Sequence, residues 1–440
     1  MNNKIDVNSI MKELEEKLRN GLKDNKLDAT GISQLIGEHL EKAKEKVLQD
    51  TSKMITEEVK PSENKKKKQP LVILTPYGKL VFVRNMDYCS KCGKLYGHND
   101  ELFQINEEHR LTKDSLELIT YIGQIIPGFN NAQEVLLKLR GIEISATQIQ
   151  ILSEEVGKEL FEIQMEKSNL AYSCPEVAAP AMLEKDKENT ILYISMDGSA
   201  VNTRVEDENG STWKEMKLGL TFLDKDVIKR KNGSSIITKK EYITYMGSVA
   251  EFKKVLFDSA ARAGYGRVKK VVIIGDGAHW VWNMCEEMFP DAEYILDFYH
   301  MTENVYSYAK ELLSCIEKKY KKWADTMIYY IKTEQFKKAL KKVARSTISV
   351  DKANKTVNLE GYIKNNIDKM HYLEYKNKNY YIGSGMIESG NKTIVQKRMK
   401  QAGMRWGTDG AQYMAVLRAK HESNRWEEVE KVIFKKSKAA

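Results

Sequence analysis

Three acidic side chains sit where a chain could deliver them to one point. Asp197 closes a short apolar run, Ile191–Met196, and is followed by Gly198; a second run, Lys270–Ile274, ends in Gly275-Asp276-Gly277. Each run has the length and composition of a buried strand, and a glycine beside the acid lets a cation or phosphate approach the backbone. Glu388 lies in Ile382-Gly-Ser-Gly-Met-Ile-Glu388-Ser-Gly390, a glycine-flanked entry into a helix continuing through Lys392, Val395, Lys397, Arg398 and Met399. Carboxylate oxygens are hard donors that suit Mg2+ or Mn2+. Two strand-end aspartates faced by a helix-borne glutamate therefore form a candidate divalent-cation site. A single strand-end Asp more commonly caps a helix or makes a turn; two at matching positions in one sheet are less easily explained that way. A second possible metal site is Cys89-Ser-Lys-Cys92-Gly93, half of a zinc knuckle. No second cysteine pair exists to complete it, only His98 and His109 nearby, so a zinc-free structural knuckle is the competing reading.

The elements that must position these acids follow from periodicity. After Ile191–Met196, the segments Ala200–Glu206 and Trp213–Phe222 alternate like strands, and a basic, Gly- and Ser-containing excursion covers about 225–240. Ser248–Ala263 has helical spacing, Lys270–Ile274 is a buried strand, His279–Phe289 a helix, and Glu293–Leu296 a strand ending at Asp297. The order is three strands, helix, strand, helix, strand, then helices, an α/β arrangement.

The amino-terminal part reads differently. Ile10, Leu14, Leu18 and Leu22 recur every four residues, one face of a helix, and a second helical run covers Ile32 to Val59. Residues 1–60 are expected to be helical, 61–70 a basic linker carrying Lys65 to Lys68, and 71–112 a small strand and Cys-x2-Cys module with a turn at Pro76–Gly78. Residues 113–180 are expected to be helical. Within them Ala132–Arg140, a turn at Gly141–Ile144 and a helix capped by Ser145 give a helix-turn-helix pattern. That pattern would present Thr147, Gln148 and Gln150 to DNA; an ordinary helical hairpin is the plainer alternative.

Composition narrows the class. The 440 residues are 42% hydrophobic and 30% charged with a mean hydropathy of −0.52, enough apolar content for real cores and too polar for a membrane protein. No signal peptide and no 18-residue apolar span is visible, which points to the cytoplasm and to no membrane partner. Five cysteines in so long a chain are no disulfide framework. The net charge of +9, from 71 basic and 62 acidic residues, is consistent with a polyanionic partner.

Six blocks then resemble a known family: MDGSAV around Asp197, IGDGAHW around Asp276, LDFYHMTENV around Asp297, YIKNNIDKMHY (362–372), IGSGMIESGNKTIVQKRMKQAGMRW (382–406) and GAQYMAVLRA (410–419). From about Tyr88 onward the chain resembles the DDE-type insertion-sequence transposases of bacteria, specifically the ISKra type. The resemblance implies a ribonuclease H-like mixed sheet as catalytic core, at 185–308 and 379–435, with a helical insertion at 309–378. It implies Asp197, Asp276 and Glu388 as the catalytic triad holding two Mg2+ or Mn2+ ions. It also implies cleavage of the element's terminal repeats, joining of the 3′-hydroxyl to target DNA, and a homo-oligomer assembled on DNA. Lys392, Lys397, Arg398, Lys400 and Arg405 are candidates for holding phosphates, an ordinary exposed basic helix being the plainer reading. His300, in Asp297-Phe-Tyr-His300, would touch DNA or steady the site, or be a satisfied structural histidine. Two rivals are a ribonuclease H-like nuclease that never joins, and a transposase-derived DNA-binding protein without activity.

Overall fold

The computed structural model describes residues 5–24, 27–58, 68–88, 93, 95–97, 109–178, 189–231, 235–313, 317–347 and 358–435. The chain divides into one unit of residues 1–153 with 430–440, and a second of 154–429.

In the first unit the four-residue repeat of apolar side chains becomes α1 (Asn8–Lys23), which packs on α2 (Ala29–Glu58). The turn at Pro76–Gly78 folds β1 (Lys68–Thr75) antiparallel onto β2 (Gly78–Tyr88), with Thr75 opposite Gly78, and β3 (Leu95–Gly97) pairs with the far end of β2. Helix α2 supplies further acceptors to β2: Ser52 Oγ takes the Val81 N–H at 3.2 Å and Thr56 Oγ1 that of Val83 at 3.3 Å. Backbone groups that would otherwise be orphaned are thereby satisfied. Three helices follow, α3 (Lys113–Ile125), α4 (Phe129–Arg140) and α5 (Ala146–Ser173). Gly141 ends α4 in the left-handed region at φ 66°, and Ser145 Oγ accepts the Gln148 N–H at 3.1 Å to cap α5. Ile119, Leu136, Ile142, Ile149 and Leu152 close a core among these helices. The helix, glycine turn and capped helix are present, and α5 runs on to Ser173. Cys89, Cys92, His98 and most of the lysine run at 65–68 lie outside the described residues.

The second unit is built on a five-stranded sheet. Its strands are β4 (Ile191–Asn202), β5 (Trp213–Leu223), β8 (Lys240–Met246), β9 (Lys270–Gly275) and β10 (Glu293–Leu296); between β5 and β8 a small hairpin, β6 (Val227–Lys229) and β7 (Ser235–Ile237), projects. The order is β10-β9-β4-β5-β8. β4, β5 and β8 are antiparallel neighbours, and β9 and β10 run parallel to β4. Three consecutive antiparallel strands extended by two parallel ones on the β4 side make a ribonuclease H-like sheet.

Two expectations need correction. The Asp197-Gly198 pair does not end a strand: β4 passes through it and absorbs the segment from Ala200, because all of Leu192–Asn202 pairs with β5. Continuous ladder hydrogen bonds outweigh the local turn preference of Asp-Gly. The third antiparallel strand is Lys240–Met246, which follows the stretch read as a basic excursion and to which the sequence reading assigns no element; its central residues are buried by pairing with β5 and by the helix Thr408–Glu422.

Helices complete the unit: α6 (Val249–Ala263), capped by Ser248, and α7 (His279–Met288) pack on the sheet. The inserted helices are α8 (Phe298–Leu313), α9 (Glu317–Lys332), α10 (Phe336–Thr347), α11 (Leu359–Asn366) and α12 (Tyr372–Asn377). Glu388 rides on α13 (Gly385–Gly390), which passes into a π-helical turn, Asn391–Gln396, before α14 (Thr408–Glu422) and α15 (Trp426–Ile433). Strand β8 fixes the height of α13: Tyr242 Oη donates to the Met386 carbonyl at 2.9 Å, and Gly390 lies flat against the Tyr242 ring. A Cβ at Gly390 would overlap that ring, which is only 4% exposed and cannot swing away. Gly390→Ala is therefore expected to cost about 1–3 kcal/mol, seen as a lower thermal midpoint; an unchanged midpoint would show that this packing does not set the helix position.

Candidate metal centre

The register of the sheet aligns three aspartates. Ser195 pairs with Ile274, so Asp197 on β4 and Asp276 beyond β9 lie level with each other. Leu296 pairs with Gly275, and Asp297 N donates to the Gly275 carbonyl at 2.7 Å, which puts Asp297 level with Asp276 on the other side. Neighbouring strands are about 4.8 Å apart, so the row crosses three adjacent strands running in the same direction. Carboxyl ends of parallel strands are where open α/β sheets place their sites.

Glu388 reaches this row from α13. Its Oε1 is 2.5 Å from Ser384 Oγ, and the same hydroxyl is 2.5 Å from Asp297 Oδ2. One hydroxyl hydrogen thus stands between two carboxylate oxygens. Oxygen or nitrogen atoms of Asp297, His300 and Glu388 all fall within 4.8 Å of one another, a geometry able to hold a metal ion. The π-helical turn brings Asn391 to Asp197, where its Nδ2 donates to Oδ2 at 2.6 Å, while Gly198 N–H donates to Oδ1 at 2.7 Å. The row and the helix are therefore stitched at both ends, by Ser384 at Asp297 and by Asn391 at Asp197.

The four acids differ in how much of each is open. Asp297 is fully buried, and its two oxygens accept from Tyr299 N, His300 N, Ser384 N and Ser384 Oγ. A carboxylate offers about four lone-pair positions; three backbone N–H groups take three of those of Asp297, and the hydroxyl it shares with Glu388 stands at the fourth. Asp297 anchors α8 and the 382–384 loop more than it offers a ligand, although it lies within the cluster. Asp276 holds one donor, Ala278 N at 2.9 Å, just before α7; of the two local roles weighed from sequence it is the turn that is present, with no side-chain cap on α7, and one of its two oxygens takes no protein donor. The backbone carbonyl of Asp276 accepts from Tyr362 Oη at 3.3 Å, which ties α11 to the row. His300 is half-buried, its Nε2 3.8 Å from Asp297 and its Nδ1 3.6 Å from Glu303.

Electrostatics follow from burial. Burial pushes the Asp197 carboxyl above its ordinary range, against the pull of the Asn391 amide, the Gly198 N–H and His300, and the charge of Asp276 adds to the rise. No lysine or arginine among the described residues forms an ion pair with Asp197, Asp276 or Glu388. Partly buried negative charges without a matching cation are costly, and oxygen-rich donors of this kind fit a hard divalent ion.

The remaining residues singled out from sequence separate into two groups. Lys392, Lys397, Lys400 and Arg405 are exposed. Arg398 is not available to a phosphate: it is 1% exposed, stacked 5.0 Å over the Trp406 ring, and burial with the nearby Arg418 charge pulls its pKa down to about 10. The π-turn rotates this position inward, which a simple helical count misses. In the first unit Thr147 is exposed and Gln150 half-buried, while Gln148 is engaged with His109 at 3.3 Å. Sequence reasoning missed Ser384 and Asn391; both lie in the 382–406 block, but a hydroxyl and an amide carry no signal without their partners.

Comparison with known proteins adds a family. A family model described as "Uncharacterised protein family (UPF0236)" matches residues 17–435, and no curated protein matches the chain. Among solved structures, the Drosophila P element transposase strand transfer complex is similar at 9% identity and a TM-score of 0.25, over 72% of this chain and 80% of that one. No helix among the described residues is long and apolar enough to cross a membrane.

A carboxyl with a raised pKa stabilises the fold while protonated; that contribution is complete below its unfolded value of about 3.9 and fades as pH climbs through the folded value. In chelator, Asp197→Asn is accordingly expected to raise the thermal midpoint at pH 7 and to change it little below about pH 4, with Asn391 flipping its amide to accept from the new side chain. A midpoint at pH 7 equal to or below that of the parent would contradict the assigned cost of burial.

Proposed function

The chain belongs to the uncharacterised protein family UPF0236, and we propose that it is a DNA transposase that cuts the ends of a mobile element and joins the 3′-hydroxyl to a target by metal-dependent phosphoryl transfer. The observation that carries this reading is the level row of Asp197, Asp276 and Asp297, with Glu388 tied through Ser384 to the Asp297 end of the row and no lysine or arginine, among the described residues, paired with Asp197, Asp276 or Glu388. The motif blocks that resemble ISKra-type transposases support the same reading and favour that group within DDE enzymes.

Asp197, Asp276 and Glu388 would hold two Mg2+ or Mn2+ ions, with the His300 imidazole beside them. Bound there, such ions supply Lewis-acid activation of an attacking hydroxyl and charge neutralisation at the leaving oxygen. The residues themselves do the positioning. Asn391 and Gly198 orient the Asp197 carboxylate, and Ser384, clamped by Asp297, orients that of Glu388. Tyr362 fixes the backbone at Asp276. Among the described residues no Ser-His or Cys-His pair stands at this site, and the reading requires no covalent enzyme intermediate. Exposed Lys392, Lys397, Lys400 and Arg405 stand as candidates for phosphate contacts, and the capped α5 with Thr147 for end recognition, with the inserted helices forming a subdomain between the two parts of the catalytic core.

Asp197→Asn, Asp276→Asn and Glu388→Gln are each expected to reduce Mg2+- or Mn2+-dependent cleavage of terminal-repeat DNA by roughly a thousandfold, the loss of several kcal/mol of charge stabilisation, while DNA binding persists. A variant that still cleaves removes its residue from the site, and cleavage without strand-transfer products would favour the nuclease reading. Ser384→Ala is expected to weaken Mn2+ binding by about 10–100-fold, as for other residues that orient a ligand, with Ser384→Thr recovering part of it. Titration calorimetry giving equal affinities would release Ser384 from that role.

A further inference from the structure

The net charge of this chain has an address. Helices α9 (EKKYKKWADTMIYYIK) and α10 (FKKALKKVARST) contain ten basic residues and two acidic ones, a net of +8, against +9 for all 440 residues. The rest of the chain is therefore close to neutral, at +1. Both acids in the pair are already engaged: Glu317 with Lys321 at 2.6 Å, and Asp325 as acceptor of Tyr306 Oη at 2.5 Å.

The two helices form an antiparallel hairpin. Trp323 near the start of α9 donates Nε1 to Ser346 at the end of α10, 3.2 Å away, and Lys342 and Lys338 lie 5.5 and 5.9 Å over the rings of Trp323 and Tyr330. Ala324, Met327 and Ile331 of α9 and Ala339 and Val343 of α10 are buried. At about 100° per residue the lysines fall on the opposite arcs, and Lys318, Lys319, Lys322, Lys337, Lys341 and Arg345 are exposed. Their alignment also has a direction. Lys332, the last residue of α9, lies 5.8 Å over the ring of Phe298, the residue after Asp297. The basic hairpin thus begins beside the carboxylate cluster and extends from it for the length of α9, about 24 Å for sixteen residues. Duplex DNA carries a phosphate every ~3.4 Å on each strand, so about seven phosphates of one strand span that length. Aromatic rings interleaved with cations, as Trp323, Tyr329 and Tyr330 are here, suit a nucleic-acid backbone as well.

We propose that the α9–α10 hairpin is a duplex DNA track, holding the phosphate backbone of the strand that leads into the Asp197–Asp276–Glu388 site. The assignment rests on the transposase reading for its substrate, but its physics is electrostatic and needs no cleavage. The test is binding of full-length protein to a 30-base-pair duplex in chelator, with the dissociation constant followed from low to high salt. Lys337→Gln, Lys341→Gln and Arg345→Gln together are expected to lower the slope of log K against log salt by about 2–3, at ~0.9 for each phosphate no longer neutralised. The charge-conserving set Lys337→Arg, Lys341→Arg and Arg345→Lys keeps the slope, which separates charge from any effect on the fold. An unchanged slope in the glutamine variant overturns the track, and so does a steeper slope for an RNA duplex than for DNA. Wild type that binds with this slope yet never cleaves in Mg2+ or Mn2+ would sink the catalytic reading and leave the track standing. Cleaving wild type with an unchanged slope in the variant does the reverse.

Discussion

Negative charge gathered without a lysine or arginine partner, among the described residues, is the constraint around which the second unit is organised. Three neighbouring parallel strands come level with one another, and each ends in, or passes through, an aspartate. Carboxylates brought that close repel, and burial raises the cost further; the rise of the Asp197 carboxyl above its usual range expresses both. A fold that keeps such an arrangement does so at a cost in stability. Sites of this kind trade stability for function.

Holding the arrangement requires neutral donors placed with care. Asp297 takes more protein donors than the other acids of the row, and through Ser384 it fixes the loop that launches α13. Tyr242 and Gly390 set the distance between that helix and the sheet. The π-helical turn then adjusts the register so that Asn391 meets Asp197 while Arg398 is turned inward under Trp406. An uninterrupted α-helix from Glu388 would present a different set of side chains, so the irregular turn is part of what makes the site. Elsewhere in the unit buried charge is handled in the opposite manner. Glu241 is sealed by Arg262 and Arg425, a compensated network that holds β8 and needs no ion.

The charge of opposite sign is equally localised. Nearly all of the chain's net positive charge lies on one helical hairpin of the insertion, whose near end touches the residue beside Asp297. Charge of both signs is thus segregated within one unit, the acids on the sheet and the bases on the hairpin, rather than interspersed over its surface.

Much of this was legible in the residues. Helical spacing in α1 and α6, the capping Ser145, the glycine end of α4 and the apolar runs of β9 and β10 are local signals, each readable because its physics acts within a few residues. The acids themselves, Asp197, Asp276 and Glu388, were also marked by type and by neighbouring glycines. What only the tertiary structure decided is relational. Pairing with β5 carried β4 straight through an Asp-Gly that locally favours a turn, and burial turned Lys240–Met246 into a strand. Sheet register put Asp197, Asp276 and Asp297 at one level, and a π-turn chose Asn391 over Arg398. Sequence sets the propensity of a segment, but hydrogen bonds and charges between segments distant in the chain exist only once the fold has closed, and those are the interactions that define this site.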